Sequence, residues 1–409
     1  MEKHRKYSRR SFIGDVTMAG FAGLLPYPDI AEAMRDRAGS SASLFVTKPY
    51  IQNLSPTSCT IMWITGKPCA GWVEYGEEKP TQKAVHADLG LVDAYNLINR
   101  ITLKGLTPGK KYGYRVSSRE ILAFEPYKMS WGDRQDSEWF YFTTPDPKAE
   151  KVSWIVLNDI HDRPASFSHL LSLVNEFSQD MVFLNGDMFD FETDQQQIID
   201  HLLNPLGELF STTTPFLFTR GNHETRGVFA HHHGLYFENP DNHYYFSFRQ
   251  GPVHFIVLDT GEDKEDSHEA YQGLVAFDVY REEQARWLAA EIETTAYQKA
   301  PFRVVIMHIP TFESGDWHGT MHCRELFNPL FNKGKIDLLI CGHTHRYGIH
   351  PINEGHHYPL VIGGGPLETK RTVITVTADT NLLELAMLRD DGVKVGELKL
   401  NSQHRRKSP

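Results

Sequence analysis

Trp154-Ile155-Val156-Leu157-Asn158-Asp159-Ile160-His161 is an apolar run that stops on two metal-binding side chains. A run of Val, Ile, Leu and aromatic residues reads as a strand buried on both faces. Polar residues at the end of such a strand stand where open α/β sheets place their ligands. Four further stretches repeat the pattern: Met181–Asn185 leads to Gly186-Asp187, Pro215–Thr219 to Gly221-Asn222-His223-Glu224, Arg303–Met307 to His308, and Leu338–Cys341 to Gly342-His343-Thr344-His345. Each motif alone is weak. An Asp-x-His triplet often caps a helix, Gly-Asp is commonly a turn, and a histidine after an apolar run is often a core residue. The two rings of Gly-His-Thr-His are expected on one side of an extended chain. Five strand ends carrying Asp, Asn or His together argue for one site built by convergence, in a metal-dependent enzyme.

The chain has 409 residues, enough for two domains and a large core. Its hydrophobic (40%) and charged (23%) fractions are those of a soluble globular protein. A net charge of -10 argues against a broad basic face for nucleic acid, but leaves room for an anionic substrate held at a metal pair. Cys59, Cys69, Cys323 and Cys341 form no CxxC pair, so no thiolate zinc site is suggested. Cys341 lies in an apolar run and reads as a buried thiol; a Cys59–Cys69 disulfide is left open. No run of about 18 apolar residues marks a membrane span. The N-terminus is basic at Lys3, Arg5, Lys6, Arg9 and Arg10, then weakly apolar to Leu25, with small residues at Ala31-Glu32-Ala33. Around Ser8-Arg9-Arg10-Ser11-Phe12-Ile13 it resembles a twin-arginine export signal, which implies a periplasmic or extracellular protein. Residues 1–43 are assigned to this signal and a linker.

Residues 44–145 show short β-rich runs between turns: Cys59–Ile64, Gly71–Gly76, Arg100–Leu103, Tyr114–Val116 and Trp139–Thr144. The layout resembles a fibronectin type III sandwich, and Leu106-Thr107-Pro108-Gly109-Lys110-Lys111-Tyr112 is similar to the tyrosine corner of such sandwiches. Its expected role is packing against the second domain. Thr144-Pro145-Asp146-Pro147 reads as the boundary. Over residues 151–402 strands alternate with helical spacing at Ser166–Phe177, Thr193–Phe210, Arg281–Tyr297 and Cys323–Phe331, which predicts an α/β domain. Beyond Arg346 the strands at 360–362, 372–377 and 383–388 are candidates for a second sheet packed on the first.

The five strand-end motifs, in this order, resemble those of calcineurin-like metallophosphoesterases. The resemblance implies two packed sheets flanked by helices (αββα) and a centre of two divalent or trivalent transition metal ions. Asp159, His161 and His345 would hold one ion, Asn222, His308 and His343 the other, and Asp187 would bridge them. Such a donor set suits Mn, Fe, Zn or Ni. Two such cations about 3.5–4 Å apart ionise a shared water, and the hydroxide attacks phosphorus in line with the leaving oxygen. His223 is the expected general acid. Asp190 resembles the aspartate that pairs with this histidine in the serine/threonine phosphatase branch, so it is expected to orient His223 and raise its pKa. The alternative is a helix cap, because Asp190, Glu192 and Asp194 open a helical segment.

A sandwich in front of this metal fold, with Tyr244–Phe248 and Tyr347, resembles the purple acid phosphatase branch. Two positions depart from it: His161 stands where that branch has glycine, and Asp190 where it has its iron-binding tyrosine. The implied activity is hydrolysis of small phosphate esters, with monoesters favoured over diesters. A non-catalytic interaction scaffold is the alternative of a different class. Arg220 and Arg346 flank the motifs and are open to binding phosphate or to pairing elsewhere.

Overall fold

The apolar runs become strands because they are covered on both faces. Met181–Asn185, Val253–Leu258, Phe302–Met307 and Leu338–Cys341 are buried throughout. A computed structural model describes residues 43–402, so the reading of an export signal lies outside the described residues. Residues 43–402 belong to one compact unit.

The catalytic region is built from two six-stranded sheets. In the first, Lys151–Leu157, Met181–Asn185 and Phe216–Thr219 run parallel, and Thr372–Asp379, Leu382–Arg389 and Lys394–Asn401 continue the sheet antiparallel on the other side. In the second, Val253–Leu258, Phe302–Met307, Leu338–Cys341 and Leu360–Ile362 run parallel, with Phe246–Gln250 and Gly348–His350 at the edges. The strands beyond Arg346 therefore divide. Only Gly348–His350 and Leu360–Ile362 join the second sheet, and the long C-terminal hairpins extend the first. Hydrophobicity alone marks these runs as strands but says nothing of which edge they join.

Between the sheets lies a core that includes Val152, Trp154, Phe183, Phe255, Val304, Ile340, Val376 and Leu385. Trp154 meets Phe255 edge to face at 4.9 Å across it, a geometry that adds about 0.5–1.5 kcal/mol beyond burial. Helices cover the outer faces. Ala165–Ser172 and a helical stretch from Gln195 to Leu209, with a π turn at Ile199–Leu203, cover the first sheet. Phe277–Glu291 and His318–Gly334 cover the second. The last helix starts five residues earlier than its apolar spacing suggests, because its first turn carries histidines rather than hydrophobics.

The N-terminal region is a β-sandwich around Ile61, Trp63, Val73, Tyr114, Val116 and Phe142. The two predicted strands at 59–64 and 71–76 are one strand, Ser58–Gly76, whose register breaks between Ile64 and Cys69. Its first half pairs Tyr50–Gln52 and Asn96–Lys104, and its second half pairs Gln82–Ala84 and Lys111–Glu125. The Tyr112 hydroxyl accepts the Thr107 N–H at 2.9 Å, the hydrogen bond of a tyrosine corner. All four cysteines are buried and free, so Cys59 and Cys69 are not bridged. Tyr50, Met62 and Ile64 of the sandwich share a core with Leu206, Phe216 and Phe237 of the catalytic region. Tyr50 donates to the Tyr236 carbonyl (2.8 Å) and Tyr114 to the Thr212 carbonyl (2.7 Å). The sandwich thus backs the third parallel strand and the segments on either side of it.

Candidate metal centre

Parallel strands point their carboxyl ends the same way, so the polar residues after them gather at one rim. The turns there are tight. Asp159, His161, Asp162, Asp187, His343 and His345 all have positive φ, between 49° and 72°. A left-handed non-glycine residue costs about 1–3 kcal/mol, and such strain persists where surrounding contacts hold it. Gly186 and Gly221 let the backbone pass close to the donors. A Cβ on Gly186 would run into the His308 ring, and one on Gly221 into the Asp187 carboxylate.

Two groups of donors result. Asp159, His161, Asp187 and His345 form one; Asp187, His308 and His343 form the other. Asp187 belongs to both. Its Oδ2 lies 3.0 Å from His308 Nε2 and 3.6 Å from His161 Nε2. His345 Nε2 is 3.2 Å from Asp159 Oδ1 and 3.1 Å from His161 Nε2. Asn222 Oδ1 is 3.0 Å from His343 Nδ1, which brings the amide to the second group. The left-handed turns send His343 and His345 to different groups, so the two rings do not lie on one side of an extended chain.

The donors suit cations. His308 Nδ1 donates to the Asn185 carbonyl at 2.8 Å, which directs Nε2 at Asp187. His308 Nε2 and Asp159 Oδ1 are buried without a hydrogen-bond partner. Two imidazole nitrogens 3.1 Å apart, beside two buried carboxylates, also call for positive charge between them. Burial opposes charge on Asp187, but the His308 imidazole outweighs it and holds the carboxyl at about 2. Burial likewise opposes a charged His308, and the Asp187 carboxylate pushes that ring up to about 10. Burial takes His343 down to about 4, a ring kept neutral and available to a metal.

Asp190 acts elsewhere than expected. Its carboxylate Oδ1 sits 2.8 Å from His161 Nδ1, and only its backbone carbonyl accepts from His223 Nδ1, at 2.6 Å. Nor does it cap the helix, since Asp194 accepts the Gln197 N–H in that role. The side chain leaves the left-handed Asp187 turn toward the first histidine, and the main chain alone reaches the second. His223 Nε2 lies 4.0 Å from Asp187 Oδ2 and 3.2 Å from Arg226 Nη1. Burial lowers the His223 pKa below the usual histidine range. Arg220 is half-buried, paired with Asp259 and stacked 3.8 Å from the Tyr244 ring, so its charge is committed away from the donors. Arg346 is exposed and lines, with His345 and Lys370, a hollow of about 310 Å³.

Two partners escaped sequence reasoning. Glu224 accepts the backbone N–H groups of Asp187 (2.8 Å), Met188 (2.6 Å), Phe189 (3.3 Å) and Gly221 (2.7 Å). Glu262 holds Arg226 through two hydrogen bonds, 2.7 and 3.0 Å, beside His223. The signal for the second was present: Val253–Leu258 is a further apolar run, and it too ends in acidic residues, Asp259 and Glu262.

Two layered sheets whose parallel ends gather two donor groups around one carboxylate define a dinuclear metallohydrolase. Residues 154–347 match the calcineurin-like phosphoesterase family, and residues 48–144 match the purple acid phosphatase N-terminal domain. The chain belongs to the calcineurin-like phosphoesterases and carries the sandwich of their purple acid phosphatase branch. It is 24% identical over 330 residues to probable purple acid phosphatase 20 of Arabidopsis thaliana, covering 74% of this chain and 68% of that one. It is 25% identical over 350 residues to mouse (Mus musculus) acid phosphatase type 7, covering 78% and 72%. A purple acid phosphatase from yellow lupin (Lupinus luteus) seeds has a similar fold, with a TM-score of 0.67 at 16% identity over 87% of this chain and 74% of that one. PhoD matches at a TM-score of 0.59 and 13% identity, over 89% and 94%.

Proposed function

We propose that this chain is an exported dinuclear phosphohydrolase that acts on phosphate monoesters. The observation that carries the reading is Asp187, a buried carboxylate common to both donor groups. In this proposal Asp159, His161 and His345 hold one ion, Asn222, His308 and His343 the other, and Asp187 bridges them. The ion pair supplies an ionised water and Lewis acidity toward phosphoryl oxygens. His223 is the proton donor to the leaving oxygen. With its Nδ1–H committed to the Asp190 carbonyl, a further proton adds at Nε2, on the side of Asp187. Arg226, fixed by Glu262, aims a guanidinium N–H at that same nitrogen in the unprotonated ring, so this N–H must give way when the proton adds. The preference for monoesters follows the relatives, which are named as acid phosphatases. Export rests on the basic, apolar and small-residue order of residues 1–33. With Mn²⁺ added, hydrolysis of p-nitrophenyl phosphate is expected to exceed that of bis-p-nitrophenyl phosphate. The reverse order would make the enzyme a diesterase, and no hydrolysis of either by metal-loaded protein would return it to a scaffold.

Asp190 serves here as the orienting partner of His161: it accepts from Nδ1 and so directs Nε2 at the metal. Asp190→Ala is expected to weaken metal binding about 10–100-fold, read by competition with a chelating dye. Asp190→Asn, whose amide oxygen still accepts, recovers part of that loss. Equal affinities in all three proteins would remove this role.

Asp190, whose carboxylate meets His161, stands where the purple acid phosphatase pattern has its iron-binding tyrosine. The iron-loaded protein is therefore expected to be colourless or weakly coloured, and an intense purple band in its visible spectrum would contradict the ligand assignment.

A further inference from the structure

Outside the catalytic centre, three more ligand-type side chains converge. Asp278 stands in the first turn of helix Phe277–Glu291, and His318 and His322 in the first turns of helix His318–Gly334. Residues four apart on a helix share a face, and a pair of histidines at that spacing can grip one ion. Here both rings face the same carboxylate. His318 Nε2 is 2.8 Å from Asp278 Oδ1, and His322 Nδ1 is 3.2 Å from it. The rings stack with centroids 5.6 Å apart. One ligand atom from each residue lies within 4.8 Å of the other two.

Two observations set this cluster apart from an ordinary surface ion pair. His322 Nδ1 is buried and makes no hydrogen bond, although a carboxylate oxygen lies near it. Its lone pair or proton is aimed into the cluster with nothing to receive it in good geometry, as for His308 Nε2 in the catalytic centre. Each stacked ring also directs one nitrogen at the same carboxylate oxygen, so both can serve as ligands to one ion. One positive group faces the cluster: Arg281 Nη1 donates to Asp278 Oδ1 at 2.9 Å. The rest of that guanidinium is committed to the carbonyls of Thr260 and Glu262. A neighbouring cation weakens a site that relies on charge alone, so hard ions such as Mg²⁺ and Ca²⁺ gain little here. Zn²⁺, Co²⁺, Ni²⁺ and Cu²⁺ draw much of their affinity from imidazole nitrogen.

We propose that Asp278, His318 and His322 form a third site, for a divalent transition metal ion, distinct from the catalytic pair. It would pin together the starts of two helices that also brace the catalytic rim. The Gly319 N–H donates to the Asp263 carbonyl at 2.9 Å, and Arg281 holds the Glu262 carbonyl, while the Glu262 side chain holds Arg226 beside His223.

The proposal is independent of the catalytic reading, and metal counting separates them. Protein loaded with Co²⁺ or Zn²⁺ and freed of excess ion is assayed by elemental analysis. Wild type is expected to hold one ion per chain more than His322→Ala, and more than Asp278→Asn as a second variant. Asp187→Ala, which disables the catalytic pair, should keep the extra ion. Equal counts in wild type and both variants would overturn the third site and leave an ion-pair cluster only. A count of one in wild type that His322→Ala abolishes would uphold the third site and sink the catalytic pair.

Discussion

Asp187→Asn is expected to lower kcat/KM for p-nitrophenyl phosphate by about 10³, the scale on which losing a preorganised electrostatic group slows an enzyme, and to loosen both ions at once. The substitution keeps the side chain's size and removes its charge. That charge is the one carboxylate shared by both donor groups. Its Oδ2 faces His308 and His161, while its Oδ1 accepts the His223 N–H at 3.1 Å. One group therefore joins the metal donors to the histidine proposed as proton donor. Without it, His308 loses the partner that raises its pKa, and Asp159 alone must offset two cations. Removing a peripheral donor such as His345, the most exposed of the set, should cost less. Metal content and kcat/KM measured on the same preparations decide the matter. Asp187→Asn with both ions held at wild-type affinity would refute the bridge, whatever its activity.

How much of this was readable from sequence depends on the range of the interaction. Burial on both faces is local, so the five strands and their polar ends are legible from residue type alone. All seven expected metal-binding residues come to one rim because the parallel strands of both sheets carry them at their carboxyl ends. Direction within the rim is not local. The positive φ at His343 and His345 arises where the chain turns against Asp159 and the Gly363–Gly365 segment, far off in sequence, and it separates two rings that alternation would align. The same holds for Asp190. Its spacing from Asp187 suggests a partner for His223, yet the side chain meets His161 instead. That contact explains the two departures from the purple acid phosphatase pattern together. His161 and Asp190 hydrogen-bond to each other, so the imidazole that replaces a glycine arrives with the carboxylate that orients it. The two positions are joined by one hydrogen bond, which a reading of each position alone could not show.

The same distinction makes Glu224 a sensitive residue, although it supplies no metal donor of its own. Glu224→Gln is expected to destabilise the folded protein by about 2–6 kcal/mol, taking about 1–3 kcal/mol for each buried N–H left without an acceptor. The side chain is fully buried, and its two oxygens receive four backbone N–H groups. Oε2 takes those of Asp187 and Gly221, and Oε1 those of Met188 and Phe189. Glutamine has one oxygen, so in either orientation its NH₂ faces two N–H donors. Burial and the nearby Asp187 push the Glu224 pKa up to about 8, whereas four N–H donors favour the ionised form. The substitution separates these effects. If the acid were held neutral, an amide of the same shape would be tolerated, because a protonated carboxyl already directs one O–H at those donors. If the four N–H groups hold it ionised, the turn carrying Asp187 loses its anchor, and both the denaturation midpoint and metal affinity fall. A midpoint unchanged in Glu224→Gln, measured by tryptophan fluorescence in metal-free protein, would mean that the four N–H groups do not hold the acid ionised.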